Sequence, residues 1–284
     1  MTVYRPFVIS HCGGFVQDRG MKRACVLLAL LAPVAATAQA LDAVATLEVL
    51  PGWQTADGTR MTALAVTLAP GWKTYWRSPG DAGIPPQIDF AGSQNIRDIT
   101  IHWPVPEVFD QAGMRSIGWH DGMVLPVELH PARPGGPIRL SGTLDIGVCE
   151  DICIPVQLRF DQPLPQNGAR DGRIVAALVD RPLTAAEAGV TRATCAVTPA
   201  ADGLTVTAQI TVPSTGGAEA VVIEAGDPAI WVSEPDVTRV GDVLSATVDM
   251  VNTAGTAFAL DRSGMRVTIL GRDRAVDIQG CTAG

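Results

Sequence analysis

The sequence predicts an all-β chain built as two β-sandwiches in tandem, joined by a short, partly helical linker. Three observations carry that expectation. Valine and threonine are plentiful while apolar stripes of period 3.6 are scarce, which favours strands over helices. Segments such as Leu204-Thr205-Val206-Thr207-Ala208-Gln209-Ile210 alternate apolar with polar residues, as a strand with one buried face requires. The 29 glycines and 21 prolines cut the chain into short runs at the spacing of a sandwich.

Taken in order, the elements begin with a secretory signal peptide over residues 1–40. Met21-Lys22-Arg23 forms its basic end, Ala24 to Ala36 an apolar run of about a dozen residues, and Ala38-Gln39-Ala40 the cleavage site. The run is shorter than the ~20 residues of a spanning helix. The residues ahead of Met21 fit no signal design, so translation is expected to start there, and the mature chain near Leu41. Export takes away Cys12 and Cys25 and leaves four of the six cysteines. It also points to the periplasm, and no later segment is apolar enough to span a membrane.

The mature chain, about 244 residues, exceeds the usual size of one domain. Expected strands are Ala43 to Leu50, Arg60 to Leu68 and Ile138 to Ile146, followed by Leu204 to Val212, Ala220 to Glu224, Leu244 to Met250 and Met265 to Leu270. Between the two groups, Asp161 to Gly172 reads DQPLPQNGARDG, a run of turn residues. Arg173 to Asp180 then suits a short helix stopped by Pro182. The first sandwich is drawn at 41–162, the linker at 163–190 and the second sandwich at 191–284.

Removing residues 1–40 takes four basic and one acidic side chain, leaving 17 Lys plus Arg against 28 Asp plus Glu. A net charge near −11 argues against nucleic acid or anionic lipid as partners.

Four cysteines allow three pairings, and position favours Cys149 with Cys153 and Cys195 with Cys281. The second bridge would close about 87 residues and stabilise by roughly 4.6 kcal/mol in the chain-entropy treatment, which marks it as a structural staple. The five-residue loop of the first gains only roughly 2 kcal/mol. Residues i and i+4 of an extended strand lie about 13 Å apart, and a disulfide needs Cα atoms roughly 4.4–6.8 Å apart, so Glu150, Asp151 and Ile152 must turn tightly. A bridge that stabilises little is a candidate for reversible reduction, which makes Cys149 and Cys153 the expected catalytic pair. Glu150 and Asp151 place negative charge beside the sulfurs, which disfavours thiolates, and Pro155 holds the outgoing chain extended. The competing readings are an inert staple on a hairpin, within a non-catalytic binding or scaffold module, and a metal site in which His102, His120 or Met114 completes a soft set around the thiolates.

Three segments carry a resemblance to a known family: GWKTYWRSPGDAGIPP, WPVPEVFDQAGMRSIGWHDGMVLPVEL and LDIGVCEDICIPVQL. Residues 42 to 162 resemble the N-terminal periplasmic domain of the thiol:disulfide interchange protein DsbD, and the arrangement is similar to ScsB-like relatives, where a second β domain follows. The resemblance implies an immunoglobulin-like sandwich whose cysteines, here Cys149 and Cys153, alternate between dithiol and disulfide, with Cys153 forming the mixed disulfide. It implies a cap loop bearing an aromatic residue, for which Val108 to Trp119 offers Phe109, Met114 and Trp119. Trp72, Tyr75, Trp76 and Trp103 are expected in ordinary packing.

The implied activity is protein-disulfide reduction, with electrons passed to thioredoxin-like periplasmic oxidoreductases. No metal or organic cofactor is expected, because the sulfurs carry both electrons. The family's transmembrane conduit and thioredoxin-like domain have no counterpart in these residues, so a separate membrane protein is the expected electron donor. A link to copper stress is a further implication of the ScsB-like likeness.

Overall fold

The computed structural model describes residues 44–111 and 113–284. The signal peptide, its start at Met21, and Cys12 and Cys25 lie outside the described residues. Among the described residues no helix is long and apolar enough to cross a membrane.

Ten strands make the first sandwich: β1 (Ala45–Gln54), β2 (Arg60–Leu68), β3 (Lys73–Tyr75), β4 (Gln87–Asp89), β5 (Ile96–Ile101), β6 (Glu107–Gln111), β7 (Met114–His120), β8 (Gly122–Pro131), β9 (Ile138–Cys149) and β10 (Cys153–Leu164). One sheet runs β1-β2-β8-β5 and the other β10-β9-β3-β7-β6, with β4 also on β9. All pairs are antiparallel. The two inner faces meet through Leu64, Val66, Leu125 and Val127 of the first sheet and Leu140, Leu144, Ile146 and Val148 of the second. Alternation fixes which residues these are, because successive side chains of a strand point to opposite faces.

β2 is buried along almost its whole length, against that rule of one wet face. Its second face, Met61, Ala63 and Ala65, packs with Leu50 under Ile174 of α1 (Gly172–Val179). The helix lies where the sequence placed it. Asp171 caps its start by accepting from the Arg173 amide at 2.8 Å.

The second sandwich contains β11 (Leu183–Thr184), β12 (Arg192–Ala200), β13 (Gly203–Thr211), β14 (Ala220–Glu224), β15 (Ile230–Val232), β16 (Asp236–Val240), β17 (Val243–Asn252), β18 (Arg266–Leu270), β19 (Ala275–Gln279) and β20 (Thr282–Ala283). Its sheets run β11-β19-β18-β14 and β15-β17-β13-β12-β20, with β16 on β17. β11, within the stretch read as linker, pairs in parallel with β19. Cys195 of β12 bonds to Cys281 with Cα atoms 5.8 Å apart, at the point where the chain leaves β19 in one sheet to join β12 in the other through β20.

The sheet containing β14, β18 and β19 is buried on both faces. Val221, Ile223, Ile269 and Val276 fill its own core, while Ala220, Val222, Leu270 and Ala275 join the core of the first sandwich. A polar clamp borders this contact. Arg77, stacked 3.8 Å over the Trp76 ring, donates to Glu224 at 2.9 Å and to the Thr268 hydroxyl at 3.2 Å. The Arg115 guanidinium lies 3.2 Å from Glu234, tying the β6–β7 hairpin to the second sandwich.

Two predictions follow from the linker and the staple. Replacing both Cys195 and Cys281 by serine should lower the unfolding free energy by about 4–5 kcal/mol in urea titrations, while the 149–153 pair stays reducible. In the linker turn, hydrogen bonds from Arg181 and then from the Thr184 amide and hydroxyl lower the Glu187 pKa from 4.5 to about 2. Because this carboxyl is more acidic folded than unfolded, its contribution is present above pH 4.5 and disappears as pH falls toward 2. A carbon-13 NMR titration of Glu187 should show that midpoint, and Arg181→Met should move it toward 4.5.

Candidate functional site

β9 and β10 form a hairpin in which Cys149 and Cys153 are direct partners across the ladder. The intervening turn, Glu150 to Ile152, brings their Cα atoms to 4.1 Å, and the sulfurs are bonded. The tight turn demanded by the spacing is therefore present. The bonded pair is asymmetric: Cys149 is 1% exposed, whereas Cys153 is exposed. Ile152, at the tip beside Cys153, is 73% exposed.

The disulfide stands on the outer face of its sheet. Val148 and Ile154, one residue away on each strand, point into the core, so Cys149 and Cys153 point away from it. Cross-strand partners share a face, and the ladder therefore sets His120 of β7, Lys73 of β3, Cys149 of β9 and Cys153 of β10 in one row. Lys73 is only 4% exposed. Burial pushes its amine pKa below the ordinary lysine value.

Tyr75, two residues along β3, lies on the same face, with its hydroxyl 2.9 Å from Cys149 Sγ and 3.2 Å from Cys153 Sγ. Tyr75 was expected in ordinary packing, but the strand period turns it away from the core that Trp76 enters. Burial pushes its phenol pKa up, which keeps the proton on the oxygen as a donor to sulfur. Over these groups runs the segment after β3, held close by small residues. A Cβ on Gly147 would fall 2.7 Å from Ile84 Cβ, and one on Gly83 would fall 2.9 Å from the Tyr75 ring.

The three cap candidates go to different places. Phe109 is 8% exposed, its ring 5.0 Å from Lys73 Nζ and edge-on to His120 with centroids 4.5 Å apart. Trp119 points into the core, stacked on Trp103 and donating through Nε1 to the Val105 carbonyl at 3.1 Å. Met114 is 60% exposed and lines a cleft of about 260 Å³ against Val232 and Pro235 of the second sandwich. Trp72, Trp76 and Trp103 pack with the core as expected.

The soft ligand set suggested for a metal is dispersed. His102 pairs with Glu128 at 2.9 Å and His120 with Glu107 at 3.0 Å. Among the described residues, no three His, Cys, Asp or Glu side chains are grouped to hold a metal ion.

The electrostatic environment is therefore mixed. Glu150 and Asp151 are exposed, while Lys73 is buried in the row itself. Sequence reasoning missed Lys73, Tyr75 and the cover provided by Ile84. The alternation Lys73-Thr74-Tyr75-Trp76 was the available signal, since a three-residue strand there puts Lys73 and Tyr75 on one face and Trp76 on the other.

The molecule is thus a tandem β-sandwich protein carrying a hairpin disulfide, half buried and half exposed, on the outer face of one sandwich. Residues 38–165 match the family described as thiol:disulfide interchange protein DsbD, N-terminal, so this stretch is similar to that domain. Among solved structures, the N-terminal periplasmic domain of ScsB from Proteus mirabilis matches with a TM-score of 0.60 at 24% identity. The match covers 84% of this chain and 92% of that one, so the shared fold extends beyond the first sandwich. No curated protein matches the chain.

Tyr75→Phe isolates the hydroxyl. Stability should change by about 1 kcal/mol, but reduction of the 149–153 bridge by dithiothreitol should slow about tenfold, because a hydrogen bond to the departing thiolate is lost. An unchanged rate in stopped-flow would show that the hydroxyl only packs.

Proposed function

We propose that this protein is a periplasmic thiol-disulfide exchange protein that relays electrons between thioredoxin-like oxidoreductases through Cys149 and Cys153. The observation that carries the reading is the asymmetry of the pair, one sulfur-bearing residue exposed and the other buried under a phenol hydroxyl. An inert staple needs no such difference. Exchange does, because one sulfur must be reached by the partner while the other departs.

In the loading direction a donor's thiolate attacks Cys153 Sγ, the Cys149–Cys153 bond breaks and Cys149 leaves as a thiolate. The donor's second thiol then attacks the mixed disulfide. It releases Cys153 and leaves the donor oxidised, with two electrons now on the pair. In the unloading direction Cys153 attacks an acceptor disulfide, and Cys149 attacks Cys153 Sγ to release the acceptor as a dithiol. Cys153 thus bonds to the partner in both directions, with Ile152 offering apolar surface beside it.

Phe109 is the cap residue on this reading, since it covers the Lys73 end of the row. The acidic turn Glu150-Asp151 and Pro155 tune the pair and hold the outgoing strand. On this reading the electron donor is a separate membrane protein. The family match of residues 38–165 and the periplasmic origin of the structural neighbour support both the chemistry and the compartment.

The test is partner trapping with the full chain. Cys149→Ser should accumulate a mixed disulfide with a thioredoxin-like protein through Cys153, visible on non-reducing gels, and Cys153→Ser should not. In a glutathione redox titration the wild-type pair should open while the protein stays folded. A pair that remains oxidised until unfolding would reduce the site to a structural staple.

A further inference from the structure

Tyr75 and Gly147 face away from the core, yet neither is open to solvent. Tyr75 is 2% exposed, and Gly147, two residues before Cys149 on the same face of β9, is buried. The segment between β3 and β4 supplies their cover. Its turn closes where the Gly83 amide donates to the Gly80 carbonyl at 3.1 Å, and the Ile117 amide of β7 donates to the Pro79 carbonyl at 3.1 Å. Ile84 then lies over Gly147, and Gly83 lies against the Tyr75 ring with no room for a side chain.

The tip of this segment is tied from the other sandwich. Asp81 is exposed, and its Oδ1 accepts from Trp231 Nε1 of β15 at 3.3 Å. Clefts of about 260 and about 540 Å³ lie between the segment and the second sandwich, and Asp81 lines both. The tie therefore crosses open space. Trp231 itself is 44% exposed, while its backbone is fixed by the pairing of β15 with β17.

We propose that Trp231 is a positioning residue of the exchange site: through Asp81 it holds segment 79–84 down on Tyr75 and Gly147, so that Cys149 stays closed and a partner's thiol reaches only Cys153. The inference rests on the exchange reading above and adds to it a role for the second sandwich. A thiolate that attacks either sulfur of a disulfide breaks the same bond, and access decides which sulfur it takes. Attack at Cys149 Sγ would bond the partner to the buried residue and send the electron pair to Cys153. With the cover down, the partner bonds to Cys153 Sγ and the electron pair goes to Cys149 Sγ, 2.9 Å from the Tyr75 hydroxyl. The segment thus fixes the direction of cleavage and keeps the donor hydroxyl beside the departing sulfur.

Alkylation reads the cover without any partner. In the full chain carrying Cys153→Ser, iodoacetamide should label Cys149 about fivefold faster when Trp231→Phe removes the N–H donor, and Asp81→Ala should have the same effect. Asp81→Asn keeps an accepting oxygen and should label near the parent rate. Combining Asp81→Ala with Trp231→Phe should add nothing to either alone, because both remove one bond. With Cys149→Ser in place of Cys153→Ser, labelling of the exposed Cys153 should stay constant across these variants, which separates a lifted cover from general loosening. An unchanged Cys149 rate in either single variant, additive effects in the pair, an Asp81→Asn rate as fast as that of Asp81→Ala, or a parallel rise at Cys153 would overturn the assignment. If the wild-type chain exchanges with no thioredoxin-like protein while the Cys149 rates shift as stated, the relay reading falls and the tie stands.

Discussion

The antiparallel register between β9 and β10 is the constraint on which the site depends. It makes Cys149 and Cys153 direct partners and turns both away from the core. Side-chain direction has a period of two, so a slip of one residue would send every outward group of a strand inward. The hydrophobic set Leu140, Leu144, Ile146 and Val148 holds the register, because a slip would exchange these buried apolar groups for outward-facing polar ones. Packing on one face of the sheet thus guarantees the chemistry on the other.

The same register extends through β3 to β7 and gathers residues that are far apart in sequence. Lys73, Tyr75 and Cys149 meet because β3 lies between β9 and β7, although it is only three residues long. Arg77, just beyond β3, anchors to Glu224 and Thr268 of the second sandwich, and Arg115 of the β6–β7 hairpin lies against Glu234. The second sandwich therefore braces both the strand that supplies the polar groups and the hairpin that carries Phe109. Shared burial by Val222 and Leu270 makes that brace part of the first sandwich's core.

Much was legible in the chain. The strands at Arg60–Leu68 and Ala220–Glu224 lie where alternation and composition put them, as does the capped helix after Asp171. Loop length separated the two disulfides, and both form as paired. Short strands were harder, because three residues of Lys73–Tyr75 carry too little periodicity to stand out from a loop. Tyr75 and Trp119 were misjudged for one reason: an aromatic residue reads the same whether it faces the core or the outer surface, and only strand phase tells them apart.

By itself the sequence determined the all-β character, the tandem arrangement, the disulfide pairing and the candidate pair of sulfurs, since these follow from local period, turn residues and distance along the chain. The tertiary structure alone decided which sulfur is exposed, that a tyrosine hydroxyl touches both, and that a lysine is buried beside Cys149. Those properties depend on which strands become neighbours in a sheet. Neighbours are chosen by the packing of faces and not by proximity in the chain, so they emerge only when the sheet is assembled.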